Sequence, residues 1–209
     1  MTRLSAICSL IEKAEVVADV GCDHGRVAEY IVKNGLAKKT IASDISERCL
    51  DKARARLNGY DNVKFIRCDG LEYECDEAVI AGMGGFTVIG ILSRAKKLPS
   101  SLVVCAHRNT YDVRKTLVFL GYGITSDFMT EERGKFYSVI RAERGKSVAA
   151  LSESQYLYGV FYTKKSEVLT KYLLNLQNTY MRAPDRNAEK LDSVRDALKI
   201  QGVLPDTTK

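Results

Sequence analysis

Residues 18–26 read ADVGCDHGR. The apolar run EVVADV (15–20) leads into this stretch, and the helical pattern RVAEYIVKNG (26–35), closed by Gly35, leaves it. The reading is a strand, a tight turn and a helix. Gly21 and Gly25 stand where such a turn needs backbone freedom and close approach to a ligand. Between them lie Cys22, Asp23 and His24. That composition admits a nucleotide-binding turn, a metal site, a catalytic Cys/His pair or a plain bend.

The same rhythm continues along the chain. KTIASD (39–44) reads as a strand and SERCLDKARARLNG (46–59) as a helix, with Ser46 as N-cap and Gly59 past its end. VKFIRCD (63–69) is a third strand. DEAVIAGMGG (76–85) holds a fourth and runs into the helix FTVIGILSRAKK (86–97). SLVVCAH (101–107) is a fifth, before the helix TYDVRKTLVFLG (110–121). This alternation builds a parallel sheet wrapped by helices. Short apolar strands such as VVADV and LVVCA suit burial on both faces.

The pattern changes in YGITSDFMTEERGKFYSVIRAER (122–144), which reads as two strands joined by a polar turn at about residues 130–134. No crossover helix separates them, so an antiparallel hairpin is expected. Five parallel strands closed by a hairpin is the layout of class I methyltransferases; a dinucleotide-binding dehydrogenase would more often continue with β-α units. After residue 150 strand signals stop, and residues 151–182 read as one long helix. Ser152 and Gln155 offer a capping box. Leu157, Phe161, Val168, Tyr172, Leu176 and Tyr180 form its stripe, with Leu169 and Leu173 beside them. This stripe reads as core between two helices and not as a base-stacking platform. Pro184 breaks the pattern, and a second helix follows with Leu191, Val194 and Leu198 on one face. The expected fold class is therefore α/β, a Rossmann-like methyltransferase sheet (1–148) with a small C-terminal α-helical, coiled-coil-like domain (149–209).

Composition sets the bounds. The chain has 209 residues, 45% hydrophobic and 28% charged, with a formal net charge of +6. That is room for one full domain and a smaller appendage. The basic balance permits an anionic partner without naming one. The N-terminal stretch MTRLSAICSLIEKAEVV has no signal-peptide core, and no apolar run reaches a membrane span. A cytoplasmic protein is expected. Six cysteines, none in a C-x-x-C pair, are expected as free thiols.

In an open parallel sheet, ligands bind at the carboxyl ends of the strands. Those ends read Asp19-Val-Gly21-Cys22-Asp23-His24-Gly25, Ser43-Asp44-Ile45, Cys68-Asp69-Gly70, Ala81-Gly82-Met83-Gly84-Gly85 and Ala106-His107-Arg108-Asn109. Four of the five carry Gly or Asp, and their register with the strand ends makes the set far more specific than a lone glycine turn. Asp44 follows Gly21 by 23 residues, at the end of the second strand, where a carboxylate accepts the hydroxyls of a ribose. Asp69 can accept from an exocyclic amine such as that of adenine. The acids of the first turn repel phosphate and attract a cation. S-adenosylmethionine carries a sulfonium and an ammonium and no phosphate, so the turn favours it over NAD.

DVGCDHG resembles the class I methyltransferase motif D/E-x-G-x-G-x-G, with Asp23 in place of the middle glycine. TRLSAICSLI, ADVGCDHGRVAEYIV, RCDGLE and IAGMGG together resemble the bacterial tRNA adenine-N1 methyltransferases of the TrmK type, which modify adenine 22 in the D-loop region. The resemblance covers about residues 3–142, and the helical tail also fits. It implies S-adenosylmethionine as methyl donor and tRNA as substrate and partner. The fifth strand departs from the family's Gln-Pro-Asn or similar: of Ala106-His107-Arg108-Asn109, only Asn109 matches.

On this reading the donor site comprises Asp19, Gly21, Cys22, Asp23, His24, Gly25, Asp44, Ile45, Asp69, Gly70, Ala81 and Gly82. Catalysis is assigned to Asp23 and to Gly82, Met83, Gly84 and Gly85. Substrate contacts are assigned to Arg3, His107, Arg108 and Asn109. The Asn/Asp-Pro-Pro-Tyr/Phe motif of exocyclic-amine methylation is absent after strand four. Adenine N1 has a free lone pair and needs no proton removed, so positioning is the main task. N1 lies on the Watson–Crick edge, so the base must be unpaired or extruded. No metal is expected, and a monomer or weak dimer is.

Competing readings are specific. Asp19 and Asp44 could cap helices, and GMGG could serve close packing. Cys22 and His24 in a tight turn point apart, which disfavours a dyad. Cys22, His24 and Cys105 lack the paired spacing of a zinc site. Rival functions are an NAD-dependent oxidoreductase, a methyltransferase for another RNA or a small molecule, and a non-catalytic RNA-binding protein.

Overall fold

The computed structural model describes residues 1–147 and 150–203. A seven-stranded sheet lies at its centre: β1 (Ala14–Val20), β2 (Ala37–Asp44), β3 (Val63–Arg67), β4 (Glu77–Met83), β5 (Ser101–Ala106), β6 (Tyr122–Glu132) and β7 (Lys135–Arg144). Their order across the sheet is β3-β2-β1-β4-β5-β7-β6. The pairings among β1 to β5 are parallel, and β7 lies antiparallel to both β5 and β6. The hairpin inferred from the missing crossover is present. The strand order reverses between β1 and β4, where ligands bind in such sheets.

Alternation along the central strands builds two cores. Ala18, Val20, Ile80, Leu102 and Val104 face one cluster, and Val17, Val79, Val103 and Cys105 face the other. The crossovers α2 (Arg26–Lys33), α3 (Glu47–Arg56), α4 (Gly85–Arg94) and α5 (Thr110–Phe119) supply the facing layers. A helix the sequence did not announce, α1 (Arg3–Cys8), precedes β1. Thr2 caps it by accepting the Ser5 N–H, and Ala6 and Ile7 bury against the second core. At the end of the sheet opposite the glycine turn, Arg141 donates to Glu77 at 2.6 Å and to the Leu10 carbonyl at 2.7 Å.

The tail corrects one expectation. Residues 151–182 do not form one helix: α6 (Glu153–Tyr158) and α7 (Glu167–Tyr180) are separate. The Ser152/Gln155 capping box is present. Gly159 ends α6 at φ 110, a conformation that costs glycine little. Asp127 then accepts the Val160 N–H at 2.9 Å, and Ser166 starts α7 by accepting the Leu169 N–H. Leu157 and Phe161 therefore do not share a helix with Tyr172. Leu169 and Leu173, read as flanking the stripe, are the fully packed positions, against Val194, Ala197 and Leu198 of α8 (Ala188–Gln201). The Gln201 amide closes the pair, accepting from the Ser166 N–H and donating to the Tyr162 and Lys164 carbonyls.

One buried group fastens the tail to the sheet. Arg114 of α5 is fully buried and donates to both oxygens of Asp127 on β6, at 2.7 and 3.0 Å. It also donates to Ser138 Oγ on β7 and to the Tyr156 carbonyl on α6. Four elements meet on one guanidinium, whose fixed fork suits this convergence.

Candidate active site

A cleft of about 760 Å³ opens at the carboxyl ends of the parallel strands, a size usual for small-molecule sites. Gly21, Cys22, Asp23 and His24 form one wall, Asp44 and Ile45 the next, then Asp69 and Gly70, then Ala81, Gly82 and Met83. Asp19 lines its floor, and Arg3 and His107 reach its rim.

The glycine turn is laced to β2. Ser43 O accepts the N–H groups of Gly21 (2.8 Å) and Cys22 (2.9 Å). Asp44 completes the attachment, its Oδ2 accepting the Asp23 N–H at 3.0 Å and its Oδ1 the Ser46 N–H at 2.8 Å. Each carboxylate oxygen keeps a further lone pair for a ligand hydroxyl. Asp23 holds φ 45, a left-handed conformation. That is why a glycine suits this position, and Asp is one of the few other residues that tolerate it. Gly25 does not line the cleft. A Cβ there would stand 3.0 Å from Ala53 Cβ and 3.2 Å from Ala53 Cα, so its bareness lets α2 approach α3.

Asp19 is buried and accepts the Ala28 N–H at 3.0 Å. The N-cap of α2 is Gly25, which has no side chain to cap with, and Asp19 satisfies the helix from the strand below. Burial pushes its carboxyl up to about 7; the Ala28 hydrogen bond opposes this, while Asp44 and Asp23 add to it. Native Asp19 therefore keeps its proton over a range where the unfolded chain has lost it. Folding stability is expected to fall as pH rises from about 4 to about 7 on this account. Chemical denaturation across that range should show the slope, and Asp19→Asn should flatten it. An unchanged slope in the variant would remove Asp19 as its source.

The fourth and fifth strand ends are zipped together. The β4–β5 register slips between Ala81 and Met83, with Gly82 in the bulge at φ 81. Met83 O accepts the His107 N–H at 2.8 Å, and Arg108 O accepts the Gly85 N–H at 3.0 Å. A Cβ on Gly85 would come within 2.6 Å of Arg108 O, so this glycine serves close packing. A Cβ on Gly82 or Gly84 would meet nothing within 4 Å. Asn109 lines neither cleft; it stands at the N-cap position of α5 at φ 58, without a side-chain hydrogen bond to the helix. Arg108 and Gly84 open instead into a second cleft beside the first. Asp69 pairs with Arg94 at 3.1 Å. His24 rests 3.6 Å from Asp23 Oδ1 and 3.4 Å from Lys52 Nζ.

Burial, with Asp19 and Asp44 nearby, pushes the Cys22 thiol up, away from the thiolate a nucleophile requires. All six cysteines are free. Among the described residues no group of three or more His, Cys, Asp or Glu could hold a metal, and no helix is long and apolar enough to cross a membrane. The sequence reading missed Leu4 and Ile7 of α1 and Thr87 and Ile91 of α4, all of which line the cleft. The spacing of four between Thr87 and Ile91 was the one signal available for that pair.

Strand order, glycine turn and acidic strand ends define a class I methyltransferase, and the family model described as a methyltransferase domain matches residues 1–140. The tRNA (adenine(22)-N(1))-methyltransferase of Bacillus subtilis is 30% identical over 95% of this chain and 93% of its own. The crystal structure of B. subtilis TrmK, named as the M1A22 tRNA methyltransferase, aligns at TM-score 0.75 and 25% identity over 96% of each chain. The structure of M. capricolum TrmK with the cofactor product S-adenosyl-homocysteine aligns at TM-score 0.87 over 96% of this chain and 98% of its own; at 22% identity it speaks for the fold. The chain belongs to the TrmK family.

Proposed function

We infer that this protein transfers a methyl group from S-adenosylmethionine to N1 of adenine 22 in tRNA. The observation that carries this reading is the acidic, glycine-built cleft at the switch point of a chain 30% identical, over 95% of its length, to an enzyme named for that reaction.

The residues fit the donor. The cleft presents the carboxylates of Asp23, Asp44 and Asp69, with the buried Asp19 beneath them. That donor set suits hydroxyls, an amine and positive charge, and opposes a pyrophosphate. Asp44 would hold the ribose, Asp69 the adenine amine, and the turn from Gly21 to His24 the amino-acid end. When bound, S-adenosylmethionine supplies an electrophilic methyl on its sulfonium.

The chain's own work is then positioning and charge. Gly82 and Gly84 leave open space beside the bulge, and the zipped loop brings His107 and Arg108 to its side. A flat base can enter against backbone there, with N1 directed into the cleft. No general base is required, because the attacking lone pair carries no proton. Methylated adenine is cationic, and Asp23, exposed on the cleft wall, stabilises that charge. Asp23→Asn keeps a residue that tolerates the left-handed turn. It is expected to lower turnover at least about tenfold and to weaken donor affinity by less than that. A larger change in donor affinity than in turnover would make Asp23 a donor-binding residue only.

The direct test uses radiolabelled S-adenosylmethionine and unmodified bacterial tRNA, with the product mapped by nuclease digestion and mass spectrometry. Label on N1 of adenine 22 is the expected result. Label at another position would charge the altered β5 loop with a new target. Donor binding without label on tRNA would overturn the substrate, and no donor binding would overturn the reading of the acidic turn.

A further inference from the structure

Beside the main cleft lies a second, of about 580 Å³, with Arg108, Lys135, Phe136 and Tyr172 on its walls. His107 and Tyr137 stand at the boundary: His107 lines both clefts, and the two rings meet edge to face at 5.7 Å. We propose that this second cleft is a nucleotide subsite, which holds the unpaired neighbour of the target adenine by stacking on Tyr172 and Phe136 and by neutralising its phosphate with Lys135 and Arg108. The proposal rests on the tRNA-methylating reading above.

Four observations carry it. First, the cleft joins aromatic rings to cations, the two components that bind single-stranded nucleic acid. Second, Lys135 and Arg108 have no carboxylate partner among the described residues, so their charge is open to an anion, whereas Arg54, Arg56, Arg94 and Lys97 each pair with a carboxylate. Third, Phe136 and Tyr172 meet edge to face, at 5.6 Å and 62°. That contact uses one face of one ring, and both rings still line the cleft. Fourth, the shared His107 wall sets the cleft one step from the place the target base enters. An adenine drawn out of its stack carries its neighbour's phosphate with it, and the second cleft meets that phosphate.

The assignment also gives the helical tail a direct part in recognition. Tyr172 belongs to α7, whereas Phe136 and Lys135 belong to β7. Tyr172 packs against the helical core on one side and lines the cleft on the other.

The test measures tRNA affinity by anisotropy of a labelled unmodified transcript, and steady-state methylation alongside. Tyr172→Ala is expected to weaken binding and raise the tRNA KM about tenfold, with kcat and S-adenosylhomocysteine affinity held. Tyr172→Phe keeps the ring and should match the wild type. Lys135→Ala, at an exposed position where folding is not at stake, should weaken binding and reduce the salt dependence by about one ion. A transcript made abasic at the nucleotide 5′ or 3′ of the target should lose affinity on the wild type, and Tyr172→Ala should add no further loss on one of the two. Equal loss by Tyr172→Ala on the intact and both abasic transcripts would overturn the subsite, as would Lys135→Ala binding like the wild type. If the wild type methylates tRNA while these variants are unaffected, the subsite alone falls; if the wild type does not bind tRNA, the functional reading falls with it.

Discussion

Arg114→Ala is expected to lower folding stability by about 3–5 kcal/mol, the usual loss when one partner of a buried ion pair is removed. The variant would leave Asp127 buried with the Val160 N–H as its main remaining donor, and would strand the Tyr156 carbonyl and Ser138 hydroxyl. Chemical denaturation and thermal melting both read the loss; for a chain of this size it corresponds to about 10 °C in Tm. Arg114→Lys should recover little of it, because an ammonium cannot address four groups in the plane of a guanidinium. The same substitution should cut tRNA methylation more than donor binding in the protein that remains folded, since α6 and the segment leading to α7 hang on this group. A loss below about 1 kcal/mol would mean that the pair behaves like a surface one and that the tail is held elsewhere.

Asp44→Ala should weaken S-adenosylhomocysteine by about a hundredfold or more, on the order of 3 kcal/mol for hydrogen bonds to a charged group. Two effects add. On the proposed donor assignment the ribose hydroxyls lose their acceptor, and the glycine turn loses the bonds that Asp44 accepts from the Asp23 and Ser46 N–H groups. Asp44→Asn keeps one acceptor oxygen and should lose only about tenfold. Calorimetric titration of the folded protein separates them. Equal affinity in the wild type and Asp44→Ala would remove the ribose assignment altogether.

The sheet was legible because its signal is local and repeated. Each strand carries its apolar run, each helix its cap or closing glycine, and the absence of a crossover between β6 and β7 announced the hairpin. The acidic and glycine strand ends were legible for the same reason, and residues from four of them line one cleft. What stayed hidden depends on distance or on dihedral angle. Gly159 interrupts a helical pattern without a proline to mark it, so α6 and α7 read as one. Asp19 and Ala28 are nine residues apart, and nothing in the intervening turn shows that a strand residue caps the next helix. Gly25 looked like a ligand contact, yet its neighbour is Ala53, on another helix. Nothing local to Arg114 marks it as buried; its partner Asp127 on β6 could be found only by folding the chain. Tyr172 belonged to a stripe read as core, and only the docking of α7 on the β6–β7 hairpin turns one side of its ring to a cleft.

The position of β7 has a consequence for the order of events on the ribosome. Every residue assigned from the sequence to donor, catalysis or substrate has been synthesised by Asn109, but the last of the described strands is an interior one, seated between β5 and β6. Until residue 144 emerges, β5 presents an unpaired apolar edge, LVVCA, which is the kind of edge that recruits other chains. A nascent or truncated product can thus carry the complete set of motifs and still lack a closed sheet. The part that reads as the enzyme is expected to need the hairpin that follows it to close its sheet.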